Sequence, residues 1–257
     1  SSTSGPSGRS PGSDWAASSW SINGIFSRCT PKAHPRRSPP LDFDELNPEG
    51  FVGRIVKGRY KVTEFLGGDE NGLAFVADDK IVDDKKVVVR ILTGDGHDEI
   101  TESIMAEERI SLSHLSHPNI ARLVDSGQFT DGTPFLISEY VDALSVHDIL
   151  SIHGQFDPAR TARIVRQAAN ALNEAHQQGI LHRDIRPENI IVDASGESEH
   201  ITVVNFGSSD GAPTPHNFAY RAPEVLDGRA PTAASDIFAL GVVAYQMLTG
   251  RMPFPGH

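Results

Sequence analysis

Two side chains in one polar loop carry most of the chemistry this chain can offer. They are Asp184 and Asn189, five positions apart in His182-Arg183-Asp184-Ile185-Arg186-Pro187-Glu188-Asn189. A carboxylate can accept or orient a hydroxyl proton, and an amide oxygen can hold a metal ion, so the pair could serve an alcohol and a cation together. The competing account is that Asp, Pro and Asn are ordinary turn residues. The choice depends on whether rigid elements aim the loop.

Such elements flank it. Upstream, Ile164, Val165, Ala168, Leu172 and Ala175 recur at helical spacing, and Gly179 follows Gln177-Gln178 where a left-handed residue would cap a helix. Downstream, Ile190-Ile191-Val192 reads as a short strand. Earlier still, 60–66, 73–77 and 86–92 read as strands, with a glycine-bearing turn over 67–72 and Asp83-Asp84 turning into the third. A helix is expected over about 98–114, with Ile100, Ile104 and Glu108 in register, then strands over 122–126 and 134–138 leading to Glu139-Tyr140-Val141. Near the end, a hydrophobic helix containing 236–241 is stopped by Gly250 and Pro253.

With 257 residues, 38% of them hydrophobic, the chain can bury a proper core. No apolar run approaches the length of a membrane span, and the start is too polar for a secretory signal. A single cysteine, Cys29, excludes an internal disulfide framework. Residues 1–40 carry a net charge of +4, which leaves −15 on residues 41–257 and argues against nucleic acid as the partner. Residues 1–50 read as a Ser/Gly/Pro-rich disordered tail and linker, with Trp15, Trp20 and Phe26 as loose aromatics. The chain starts without Met, and the expectation is a fragment.

The loop resembles the catalytic loop of the eukaryotic-type Ser/Thr protein kinases, H-R-D-x-K-P-x-N, and companion motifs lie at the family's distances on both sides. Arg59-Tyr60 and the stretch 248–254 are similar to bacterial members. The resemblance covers 51–257 and implies an α+β, two-lobed protein-kinase-like fold, with a β-rich small lobe near 51–141 and a helical large lobe from about 142, cut short. It implies that Asp184 serves the substrate hydroxyl, that Arg186 stands at the catalytic-loop lysine, and that Asn189 and Asn205 are the metal positions. Gly67, Gly72, Val88, Arg90, Glu108, Glu139, Val141 and Ile191 become the nucleotide-binding positions, with Ser138 as gatekeeper. His182, Phe206, Leu112 and Leu123 match the apolar stack between the lobes, anchored by Asp236. Glu224 of Ala222-Pro223-Glu224 would lack the arginine that the family supplies from later helices.

The nucleotide side departs from the family pattern. The D-F-G aspartate is Asn205, which removes a carboxylate that a hard cation favours. The third-strand lysine is Arg90 and the catalytic-loop lysine is Arg186, planar forks in place of point charges. The middle glycine of the phosphate loop is Asp69, beside Glu70, where carboxylates oppose a phosphate. Val88 and Ala74 exchange the family's small and branched positions, an exchange expected to repack or partly fill the adenine slot. Asn217 replaces the bridging threonine.

These departures favour a pseudokinase, a kinase fold kept for protein binding or allosteric control, with ATP and Mg²⁺ bound weakly or not at all. The alternative is an active ATP-dependent Ser/Thr kinase using Asp184 and Asn189. Either way the expected partner is a protein, in the cytoplasm or on the cytosolic side of a membrane-anchored protein. Ser208, Ser209 and Thr214 stand where a phosphate could meet Arg183, though hydroxyls are ordinary in exposed loops. His114 and His147 lack metal-ligand spacing.

Overall fold

A β-branched run, Lys85–Leu92, sits at the centre of the first sheet and is buried along most of its length (β4). It is seen in a computed structural model that describes residues 48–69, 72–83, 85–92, 111–196, 198–207 and 217–254. Tyr60–Asp69 (β2) and Gly72–Asp79 (β3) form an antiparallel hairpin beside it, preceded by the short Ile55–Val56 (β1). Residues 111–114 are helical (α1), and Leu123–Gln128 (β5) and Pro134–Glu139 (β6) follow. The six-stranded order is β1-β2-β3-β4-β6-β5. Tyr60, Phe75, Val89, Ile91 and Ile137 fill its core.

The larger part is mainly helical. Val146–His153 (α2) starts from a capping box between Ser145 and Asp148. Pro158–Gln177 (α3) starts with Asp157 Oδ1 accepting from Ala159 N at 2.9 Å and Arg160 N at 3.1 Å, and has proline in its first turn. Its buried stripe is Ile164, Ala168, Ala171, Leu172 and Ala175, close to the face read from periodicity, and Gly179 takes φ +74° as expected. Leu144–Ser145 (β7), Ile190–Asp193 (β8) and His200–Val203 (β9) make a small antiparallel sheet that brackets the polar loop. Pro223–Leu226 (α4) and Ala233–Thr249 (α5) follow, and Gly250 closes α5 in the left-handed conformation at φ +66°. α5 packs on α3, so the loop rests on a helix pair.

This is the protein kinase fold: a curled antiparallel sheet in the small lobe and helices in the large one. Most of the 1–50 reading, most of the expected 98–114 helix with Glu108, and Ser208, Ser209 and Thr214 lie outside the described residues. Glu224 accepts a hydrogen bond from Ser235 Oγ of α5 at 3.1 Å. Among the described residues no helix is long and apolar enough to cross a membrane.

Candidate active site

α3 and β8 deliver the loop, and buried polar bonds fix its shape. His182 is wholly buried; its Nε2 donates to Val204 O at 2.9 Å and its Nδ1 accepts from Asp184 N at 3.2 Å, which defines a neutral ring. Burial pushes the His182 imidazole below its ordinary pKa, against the opposing pull of Asp236 and Asp184. Asp236, at the start of α5, accepts from His182 N and Arg183 N, both at 2.9 Å, and meets His176 Nε2 at 2.9 Å. Desolvation pushes its carboxyl up, and the His176 bond and the two amides outweigh that, so it sits below the ordinary carboxylate range. Arg183 takes φ +64°, a strained setting for its type, and is gripped at both ends: Asp236 holds its N–H, and Arg221 Nη1 donates to its carbonyl.

Asp184 stands at the centre, 5% exposed. Its Oδ2 accepts from Asn189 Nδ2 at 3.1 Å and lies 3.1 Å from Arg186 Nε. Its Oδ1 accepts from Asn217 Nδ2 at 3.1 Å and lies 3.9 Å from Arg221 Nη2. Both carboxylate oxygens are therefore engaged by this chain's own donors. The ring of His182 meets that of Phe206 edge-on at 4.5 Å, and Leu112 and Leu123 join the same cluster, so the expected stack is continuous.

The two positions implied for metal are bonded to each other. Asn189 Nδ2 also donates to Asp184 O at 2.7 Å, which fixes the orientation of that amide. Asn189 Oδ1 must then face Asn205, and Asn205 Nδ2 donates to it at 2.8 Å. Asn205 keeps φ +68°, a left-handed setting that Asn tolerates. Mg²⁺ requires converging oxygens, carboxylates above all, whereas Asn205 turns N–H groups toward the shared point. At this position Asn205 supplies an amide and no carboxylate.

Between the lobes lies a cleft of about 480 Å³, within the range of small-molecule sites. Gly67, Val88, Arg90, Glu139, Val141, Arg186, Asn189, Ile191 and Asn205 all line it, as do Leu66 and Ala74. Val88 and Ala74, the exchanged pair, both line the cleft. The Glu139 carboxylate is shared between Lys85 Nζ and Arg122 Nε, each at 3.4 Å. Gly72 does not line the cleft. It takes φ +143° with its missing methyl against the Ile91 carbonyl, which is a structural reason for glycine. His147 Nδ1 lies 3.2 Å from Glu188 Oε1.

Sequence reasoning missed His176 and Arg221. Arg221 directly precedes Ala222-Pro223-Glu224 and is buried beside the loop, with nothing in the sequence to mark its contact with Arg183. His176 sits in the last turn of α3, six residues before His182, with nothing in its spacing to mark it as a support for Asp236.

The family model described as "Protein kinase domain" matches residues 60–257. Among curated proteins, the Ser/Thr-protein kinase PrkC of Bacillus subtilis is 33% identical over 217 residues, covering 80% of this chain and 33% of that protein. The Ser/Thr-protein kinase pkn3 of Myxococcus xanthus is 35% identical over 222 residues, covering 79% of this chain and 40% of that one. This chain thus spans about a third to two fifths of the length of these relatives. Among solved structures, the PknI kinase domain of Mycobacterium tuberculosis superposes with a TM-score of 0.66 at 25% identity, covering 80% of this chain and 81% of that one.

Proposed function

The chain belongs to the protein kinase family, and from that premise we propose that it is a pseudokinase, a Ser/Thr-kinase-like signalling domain that works by binding protein. One observation carries this reading: the Asn205–Asn189 hydrogen bond occupies the point where two metal ligands would converge. An N–H donor there substitutes internally for a cation, and the site is satisfied without one. The cleft remains large enough for a nucleotide base, so any nucleotide binds here as a regulatory ligand whose phosphates meet Arg90 and Arg186.

The test is phosphoryl transfer from γ-labelled ATP to the chain itself and to generic basic protein acceptors. Wild type is expected to transfer no more than Asp184→Asn. The triple variant Asn205→Asp, Arg90→Lys, Asp69→Gly is expected to bind nucleotide more tightly when Mg²⁺ is present. Transfer by wild type that disappears in Asp184→Asn overturns the proposal.

A second reading rests on the continuous stack from Leu112 to His182: an active Ser/Thr kinase, as the relatives are named. In that reading Asp184 would orient the acceptor hydroxyl and Arg90 would take the place of lysine. The same assay separates the two.

A further inference from the structure

Away from the cleft, α3 carries Arg160, Arg163 and Arg166 three residues apart, lining a depression of about 700 Å³ that shares no residue with the cleft. Arg160 is engaged: its Nε lies 2.7 Å and its Nη2 2.5 Å from Glu199 Oε1. Arg163 and Arg166 are exposed, and among the described residues neither guanidinium has a carboxylate partner. Like charges one helical turn apart destabilise a helix, and neither arginine recovers that cost within the fold. They also stand out on a body whose formal charge over 41–257 is −15.

A second depression, of about 310 Å³, adjoins the first through Arg160 and Ala194. Its wall includes Leu144, which is 50% exposed, and its rim carries Asp142 and Asp193. The groove thus combines the α3 arginines with the exposed aliphatic Leu144, and Asp142 and Asp193 flank the junction at Ala194.

We infer that this groove docks an extended peptide from a protein partner, with two acidic residues two positions apart over Arg163 and Arg166 and an aliphatic residue beside Leu144. In an extended chain, residues i and i+2 lie about 6.6 Å apart on one face, which matches the 5–6 Å or so between side chains one helical turn apart. The inference gives the protein-binding reading above a location and rests on that reading for its biological use. The binding itself is independent of catalysis.

The experiment uses the full chain and a fluorescein-labelled peptide with a Glu-x-Glu-x-x-Leu core, read by anisotropy, beside a Gln-x-Gln version and a Lys-x-Lys version. Wild type is expected to prefer the Glu peptide, and the preference should fall as salt rises through the range where the Debye length drops from about 10 Å to 3 Å. Arg163→Ala and Arg166→Ala should each weaken binding about fivefold. Arg163→Glu with Arg166→Glu should abolish it and transfer the preference to the Lys peptide, with an unchanged melting temperature because both residues are exposed. Equal binding of Glu and Gln peptides, or undiminished binding by the double variant, overturns the inference. Neither result bears on phosphoryl transfer, so the two proposals fail separately.

Discussion

Asp236 holds His182 through the backbone: its Oδ2 accepts from His182 N at 2.9 Å while its Oδ1 takes the next amide, Arg183 N, at the same distance. A carboxylate on α5 thereby sets the first two residues of the polar loop and supports the φ of +64° at Arg183. Asp236→Ala leaves two amides and His176 without their acceptor. The expected cost is about 3 kcal/mol, measured by urea denaturation. A loss below about 1 kcal/mol would show that the anchor is dispensable to the fold.

The depressed carboxyl of Asp236 also predicts a pH dependence. Its folded pKa lies below the unfolded value of 3.8, so its contribution is complete above that pH and is lost as pH falls through the folded pKa. Subtracting the acid limb of the Asp236→Ala stability curve from that of wild type should leave a difference that shrinks only in strong acid. A difference that shrinks already near neutrality would contradict this.

His182 acts in a different window. Its folded pKa lies below 6.5, so as pH drops beneath 6.5 the unfolded chain takes up a proton that the buried ring refuses, and stability falls. His182→Phe keeps a ring against Phe206 but removes the titration. The variant should be less stable at pH 7.5 and should lose less than wild type between about pH 6.5 and 5. Parallel curves for the two proteins would place the titration elsewhere.

The apolar stack and the strands were legible in the sequence because burial and period leave a linear signature: Ile164 to Ala175 at helical spacing, Val87 to Leu92 as a β-branched run. The substitution of Asn205 was legible too. The direction of its amide was not, because it depends on Asn189, whose own orientation is set by two bonds to Asp184. Arg221 and His176 escaped for a similar reason: each acts across the fold, on Arg183 and on Asp236, at separations that no local pattern encodes.

Gly72 shows how a motif residue can serve the fold first. At φ +143°, with the Ile91 carbonyl against its open face, it admits no side chain. Gly72→Ala should destabilise by about 2 kcal/mol or more, whether or not nucleotide is present. Gly67 has φ +139° but open space around it, so Gly67→Ala should cost only about 1 kcal/mol. Equal costs would mean that the Ile91 approach relaxes freely.

The amide pair makes a prediction about ions that needs no knowledge of a substrate. A ligand that binds only the folded state raises its stability by RT ln(1 + [L]/Kd), so a thermal shift reports nucleotide affinity directly. Arg90 and Arg186 line the cleft and are always charged, whereas Asn205 adds no carboxylate for a cation to bridge. Free ATP in EDTA should therefore shift the melting temperature at least as much as ATP with excess Mg²⁺ or Mn²⁺, because the ion cancels ligand charge that the arginines would otherwise meet. In Asn205→Asp the order should reverse: the new carboxylate repels free ATP and, beside Asn189 Oδ1, completes an oxygen pair for the metal. A wild-type shift that requires the divalent ion would mean that the Asn205–Asn189 bond opens at little cost, and the active-kinase reading would then lead.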